Sequence, residues 1–212
     1  MIDEALRYLG VRSDPDGAVR AQLAALAEDV RARISPRYAL RVLEVCPEPL
    51  ALGGVTLPGE LAKSMLADCR QAALLVCTLG AEFEARMRTE QARDMARAAM
   101  LDALGSAMVE AGCDEAERAL AARFPGMHLT DRVSPGYGDL PLSVQPEILA
   151  ATDAARRLGV QATESCLLLP QKTVTAIIGI SDSPQPARIR GCAHCAMRGN
   201  CAYRNGGKTC AI

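Results

Sequence analysis

The sequence predicts an α+β domain, with mixed helices around a twisted, mainly antiparallel sheet and a small cysteine-rich tail at the C-terminus. Apolar residues recur at helical spacing in several long segments, and short β-prone runs separate them. The two kinds of segment do not alternate as βαβ units would require. The 212 residues, half of them apolar, suffice for one sizeable core with an appendage.

Residues 3–10 read as a short helix closed by Gly10. After the turn Asp14-Pro15-Asp16-Gly17, the apolar residues Val19, Leu23, Leu26 and Val30 predict a helix of about four turns that Pro36 ends. Tyr38, Leu40 and Val42 alternate with Arg37 and Arg41 and continue into Leu43 and Val45, the pattern of a strand. Gly53-Gly54 lies between apolar pairs within residues 50–57, which predicts a tight hairpin. A helix over 59–69 and a buried strand over 72–79 closing on Gly80 follow. Residues 81–124 read as two helices meeting near Glu90 or Gly112. The second is rich in small residues (Ala96, Ala98, Ala99, Ala103, Gly105, Ala107) that let another element pack closely. Residues 127–133 are strand-like and 134–141 form a Pro/Gly-rich loop. Residues 146–158 are helical with Gly159 as C-terminal cap, 173–180 form a strong β run, and 181–186 are linker by composition.

The apolar stretches 72–77 and 176–180 are too short to span a bilayer. The N-terminus Met1-Ile2-Asp3-Glu4 has no basic-then-apolar order. A cytoplasmic location is therefore expected, with the nine cysteines present as thiols or metal ligands rather than as a disulfide framework. Net charge is −1, yet no acidic residue follows Asp182, while Arg188, Arg190, Arg198, Arg204 and Lys208 all do. A basic tail alone suggests an anionic partner. With no Trp, two Phe and four Tyr, the chain is poorly supplied for stacking on bases, so nucleic acid is not the expected partner.

Cys192, Cys195, Cys201 and Cys210 give the spacing C-x2-C-x5-C-x8-C. A C-x2-C pair turns two thiolates toward one point, and two more complete a tetrahedral set. Gly199, Gly206 and Gly207 let the backbone wrap a small object, and so few apolar side chains surround it that a metal is expected to fold the segment. One uneven run of four cysteines suits a 4Fe-4S iron–sulfur cluster better than zinc, which usually takes two knuckles; both remain open. Four thiolates leave a negative site, which accounts for the basic residues. His194 reads as a neighbour rather than a ligand. Gly206-Gly207-Lys208-Thr209 is not a phosphate loop, because the leading glycine would fall at Ala202 and no strand precedes it. The remaining cysteines, Cys46, Cys69, Cys77, Cys113 and Cys166, read as buried structural thiols.

The most distinctive internal segment is Arg132-Val133-Ser134-Pro135-Gly136-Tyr137-Gly138-Asp139-Leu140-Pro141. An arginine at a strand end offers a fork for a carboxylate, and the Pro-Gly-Tyr-Gly turn offers backbone amides and carbonyls unobstructed by side chains. That combination suits a small zwitterion. This loop, with Thr163-Glu164-Ser165 and the β run 173–180, resembles the activation domain of cobalamin-dependent methionine synthase. In that family an Arg-x-x-Pro-Gly-Tyr loop binds S-adenosylmethionine and a Thr-Glu-Ser strand follows. The resemblance is strong over 128–181, extends back to Asp102, and is loose before it. Residues 4–10 and Thr78-Leu79-Gly80 look more like small stand-alone relatives, some of which carry a cysteine-bearing tail.

The resemblance implies an activation-like domain at 1–186 and a metal-binding tail at 187–212. It implies reductive reactivation of a partner's cobalamin, which needs one electron and a methyl group from S-adenosylmethionine. Arg132 would grip the methionine carboxylate, while Pro135, Gly136, Tyr137 and Gly138 would line the ligand, with Glu164 nearby. The partner would be a cobalamin-binding methionine synthase or another corrinoid protein. Two positions depart from the family. No tyrosine stands just beyond the final strand, where Ile180-Ser181-Asp182 lies, and the acidic residue before the loop falls at Ser106, with Glu110 one turn on as substitute. The alternative expectation is a non-catalytic module that clamps a corrinoid protein and carries structural zinc.

Overall fold

A computed structural model describes residues 1–11, 17–186 and 199–205. Helix α1 (Ile2–Tyr8) and helix α2 (Ala18–Arg31) lead into β1 (Arg37–Pro47), the hairpin β2 (Leu50–Leu52) and β3 (Val55–Thr56), helix α3 (Glu60–Leu66) and β4 (Gln71–Thr78). Helices α4 (Gly80–Arg93) and α5 (Met95–Arg123) follow, then β5 (His128–Leu129), α6 (Gln145–Thr152), α7 (Ala154–Leu158), the hairpin β6 (Gln161–Ala162) and β7 (Leu168–Leu169), and β8 (Thr173–Ser181). A short helix α8 (Ala202–Asn205) lies in the tail. The large sheet runs β3-β2-β1-β4-β8-β5 with every pairing antiparallel, and β6 pairs with β7 apart from it. The α+β class is as expected.

Strand β4 sits at the centre because both its faces are apolar. Leu74 and Val76 join the core beneath α3, α6 and α7, while Ala73, Leu75 and Cys77 join the core beneath α2, α4 and α5. Strand β8 continues both layers, with Ile177 on the first side and Ala176, Ile178 and Ile180 on the second. Helix α1 packs through Ala5 and Leu6 against Ala103 and Ala107 of α5.

Five expectations change in detail. The break in 81–124 falls at Asp94, whose carboxylate accepts from the amides of Ala96 (2.9 Å) and Arg97 (3.1 Å) and caps α5. Gly112 lies inside α5; a Cβ there would stand 2.4 Å from Pro36 and 2.8 Å from the Cys77 sulfur, so glycine serves packing and not a helix end. Within the small-residue set, Ala98, Ala103, Gly105 and Ala107 are buried, whereas Ala96 and Ala99 face outward. The run 127–133 is strand only at β5. The Thr130 hydroxyl there accepts from the ladder amide of Gly179 at 2.8 Å, and pairing resumes at the Val133–Ile177 bridge. The helix over 146–158 divides at Asp153, whose φ of 54° is left-handed and closes α6 before α7 begins. Cys69, Cys77 and Cys113 are buried as expected, but Cys46 is exposed near the C-terminal end of β1 and Cys166 is part-exposed in a turn. Among the described residues, no helix is long and apolar enough to cross a membrane.

Candidate functional site

Arg132 lies on the outer edge of the sheet, between Thr130 and the Val133 bridge. Val133 faces the α3 side, so the Arg132 side chain crosses to the α5 side. There it meets one face of α5, built from residues spaced by three and four. Its guanidinium donates to Glu110 at 2.7 Å and approaches Glu117 at 2.9 Å and Asp114 at 3.3 Å. The Arg132 side chain is 8% exposed, against 41% for Glu110 and 56% for Asp114. Burial alone would lower its pKa. The carboxylates of Glu117, Glu110 and Asp114 outweigh burial and hold the guanidinium firmly charged. Beneath it, a hydrogen bond with the Cys77 thiol, followed by burial, pushes the Cys113 thiol far above its ordinary range, so it stays protonated.

The Arg132 fork is thus engaged by the protein itself, and a ligand carboxylate would have to displace α5 carboxylates to reach it. Glu110, the suggested substitute acid, does face Arg132. Ser106 lies elsewhere: its hydroxyl donates to the Asp102 carbonyl at 3.2 Å and accepts from the Lys172 ammonium at 2.9 Å, beside a Lys172–Asp102 ion pair of 2.9 Å. Sequence reasoning missed Asp114 and Glu117, although their spacing from Glu110 along one helix face was a readable signal.

The loop beyond Arg132 packs on the other side of the sheet. Pro135 is buried, Leu140 enters the α3-side core, and residues 136–139 are exposed. Tyr137 is 56% exposed. The Gly136 amide donates to the Leu140 carbonyl (2.7 Å), Tyr137 to Ser134 (3.2 Å) and Leu140 to Tyr137 (3.1 Å). Of the amides within 135–138, those of Gly136 and Tyr137 thus close the loop's own turns. Gly136 needs its freedom: φ is +97°.

Thr163-Glu164-Ser165 forms the turn between β6 and β7, not a strand, because the Thr163 hydroxyl accepts from the Leu167 amide (3.0 Å) and bends the chain there. Glu164 is exposed in that turn. Gln145, buried at the start of α6, donates to the Cys166 carbonyl at 2.9 Å and accepts from the Thr175 hydroxyl of β8 at 3.2 Å. That bridge joins the Thr-Glu-Ser turn to the helix that follows the Pro-Gly-Tyr loop.

Asp139 accepts from the amides of Glu60 (2.6 Å) and Leu61 (3.0 Å) at the start of α3. Those amides hold its carboxyl below the usual range. A depressed pKa contributes stability that is complete above the unfolded value, about pH 4, and is lost as pH falls through the lower folded value. An NMR titration of the Asp139 carboxyl carbon is expected to show a midpoint below that of an unfolded aspartate. The Glu60 amide shift is expected to move with it.

Cys192, Cys195 and Cys210 lie outside the described residues, so the tail's metal set has no geometry here. Cys201 is described, part-exposed, with its carbonyl accepting from the Asn205 amide at 3.0 Å. Among the described residues, no group of three or more His, Cys, Asp or Glu is placed to hold a metal.

Comparison with solved structures finds the MetH reactivation domain bound to AdoHcy, with a TM-score of 0.58. The match covers 84% of this chain and 70% of that one at 15% identity. The chain has the fold of that reactivation domain. No family model matches the sequence, and no curated protein does. At this identity the likeness carries the architecture, while the ligand and partner of the MetH domain belong to that protein.

Proposed function

We propose that this protein assists the reductive reactivation of a cobalamin-dependent methionine synthase by positioning S-adenosylmethionine for methyl transfer to the partner's cobalamin. The observation that carries the proposal is the fold likeness to the MetH reactivation domain bound to AdoHcy, over 84% of this chain. The Arg132–Gly138 loop and the Thr-Glu-Ser turn add support from sequence. Arg132 would hold the ligand carboxylate, and the backbone of Pro135, Gly136, Tyr137 and Gly138 would line the remainder. Glu110, Asp114 and Glu117 stand around the guanidinium and suit a ligand that brings one or two positive charges beside its carboxylate. S-adenosylmethionine supplies both, as an ammonium and a sulfonium. The protein's share of the catalysis is orientation of an already reactive methyl donor.

The thiols of Cys192, Cys195, Cys201 and Cys210 form a donor set that fits a 4Fe-4S cluster or zinc. An iron–sulfur cluster held by these thiols would supply a low-potential electron, the class reaching down to about −700 mV, for reduction of cob(II)alamin. Anaerobic preparation is expected to yield iron and sulfide in stoichiometric amounts, and Cys192→Ser is expected to abolish both while leaving the far-UV circular dichroism of the α+β domain unchanged. One zinc per chain without sulfide would remove the electron-delivery role. Calorimetry with S-adenosylmethionine tests the methyl half.

A second reading, a module that clamps a corrinoid protein without using S-adenosylmethionine, is favoured by one observation: the Arg132 fork already holds α5 carboxylates. Absence of S-adenosylmethionine binding, together with capture of the corrinoid partner, would select it.

A further inference from the structure

The loop over 134–141 leaves the sheet after Val133, and its exposed part, 136–139, is anchored by one polar side chain. Asp139 reaches across to the start of α3, a helix that lies 79 and 78 residues away in sequence at the two amides it caps, Glu60 and Leu61. Both surfaces of this contact are shaped for it. Gly59 has φ +101°, and a Cβ there would stand 2.6 Å from the Asp139 carboxylate oxygen and 2.8 Å from its carbonyl oxygen. Gly138 has φ +56°, and a Cβ there would meet Leu61 at 3.0 Å. Side chains at either glycine would push the loop off the helix.

We propose that Asp139 is the positioning residue of this loop, capping α3 so that the backbone of Pro135–Gly138 is fixed before a ligand arrives. The proposal rests on the reading of that loop as a ligand-binding element. A site that works through backbone atoms gains most from pre-organisation, because each segment ordered on binding subtracts from affinity. An aspartate that stabilised only its own turn would bond within 134–141. Asp139 bonds instead to a separate element held in the core by Ala62, Met65 and Leu66.

The test combines AdoHcy calorimetry with amide hydrogen exchange on the full chain, comparing wild type, Asp139→Asn and Asp139→Ala. Asp139→Ala removes the acceptors of both α3 amides and is expected to weaken AdoHcy binding about fivefold to tenfold. Exchange at Gly136, Tyr137 and Leu140 is expected to quicken together with that at Glu60 and Leu61. Asp139→Asn keeps one acceptor oxygen but turns an NH2 group toward the other amide, so it is expected to fall between wild type and Asp139→Ala in both. If Asp139→Ala does not fold, Gly59→Ala, which crowds the carboxylate, is expected to give the same faster loop exchange. Unchanged exchange at the three loop amides in the alanine variant, or in Gly59→Ala where that variant replaces it, overturns the proposal, as does wild-type affinity for AdoHcy in the same protein. Faster loop exchange in a protein whose wild type does not bind AdoHcy upholds the clamp and overturns the ligand reading.

Discussion

Arg132→Leu is expected to destabilise the protein by about 3 kcal/mol, the range measured when one member of a buried ion pair is removed. The guanidinium pairs with Glu110, Asp114 and Glu117 on one face of α5. Without it three carboxylates lose a shared positive charge at close spacing, and Glu117 is only 17% exposed to water. Glu110 and Asp114 reach solvent, which keeps the cost at the lower end of the range. The same variant is expected to lose S-adenosylmethionine binding altogether. Urea unfolding followed by circular dichroism measures the first effect, and calorimetry the second. Glu117→Gln in the Arg132→Leu background is expected to recover part of the stability and none of the binding, which separates repulsion from recognition.

Phe83→Ala is expected to cost about 3–5 kcal/mol. Phe83 is 1% exposed, and its ring occupies the place where Gly105 lacks a side chain: a Cβ at Gly105 would lie 2.3 Å from the ring. Helices α4 and α5 interlock at this pair. Gly105→Ala alone is expected to destabilise by about 1–3 kcal/mol through overpacking. In the Phe83→Ala background the clash is gone and alanine is the better helix former by about 1 kcal/mol, so the same change is expected to become neutral or stabilising. Thermal unfolding of the two single variants and the double variant measures the coupling, and a Gly105→Ala effect of equal sign in both backgrounds would contradict the packing described.

Legibility in the sequence tracked the range of the interactions. The helical periodicity of Leu23, Leu26 and Val30, the Gly53-Gly54 turn and the doubly apolar strand 71–78 are local patterns, and each became the expected element. Of the two expected break points, the one near Glu90 falls at Asp94, a local cap; the continuation of α5 through Gly112 goes with close packing on Pro36 and Cys77, contacts that no local window contains. Residues 127–133 carry a strand's composition, yet at Thr130 the ladder to β8 is closed by the amide on one side and by the side-chain hydroxyl on the other. At the site, the sequence named Arg132 and Glu110 but not the side of the sheet to which each residue turns. Val133 facing the α3 side sends Arg132 toward α5, away from the loop that follows it. Asp139 was visible as a letter of the loop, while its partners, Glu60 and Leu61, lie far upstream and become neighbours only through the fold.

The central claim is reactivation, and the direct measurement is the corrinoid absorbance of the host's methionine synthase. The synthase, held as cob(II)alamin without air, is mixed with the full-length chain reduced beforehand, with and without S-adenosylmethionine. Conversion to methylcob(III)alamin that requires both the chain and S-adenosylmethionine is the predicted result. A cob(II)alamin spectrum that stays unchanged with a folded, metal-loaded chain and S-adenosylmethionine present would contradict it.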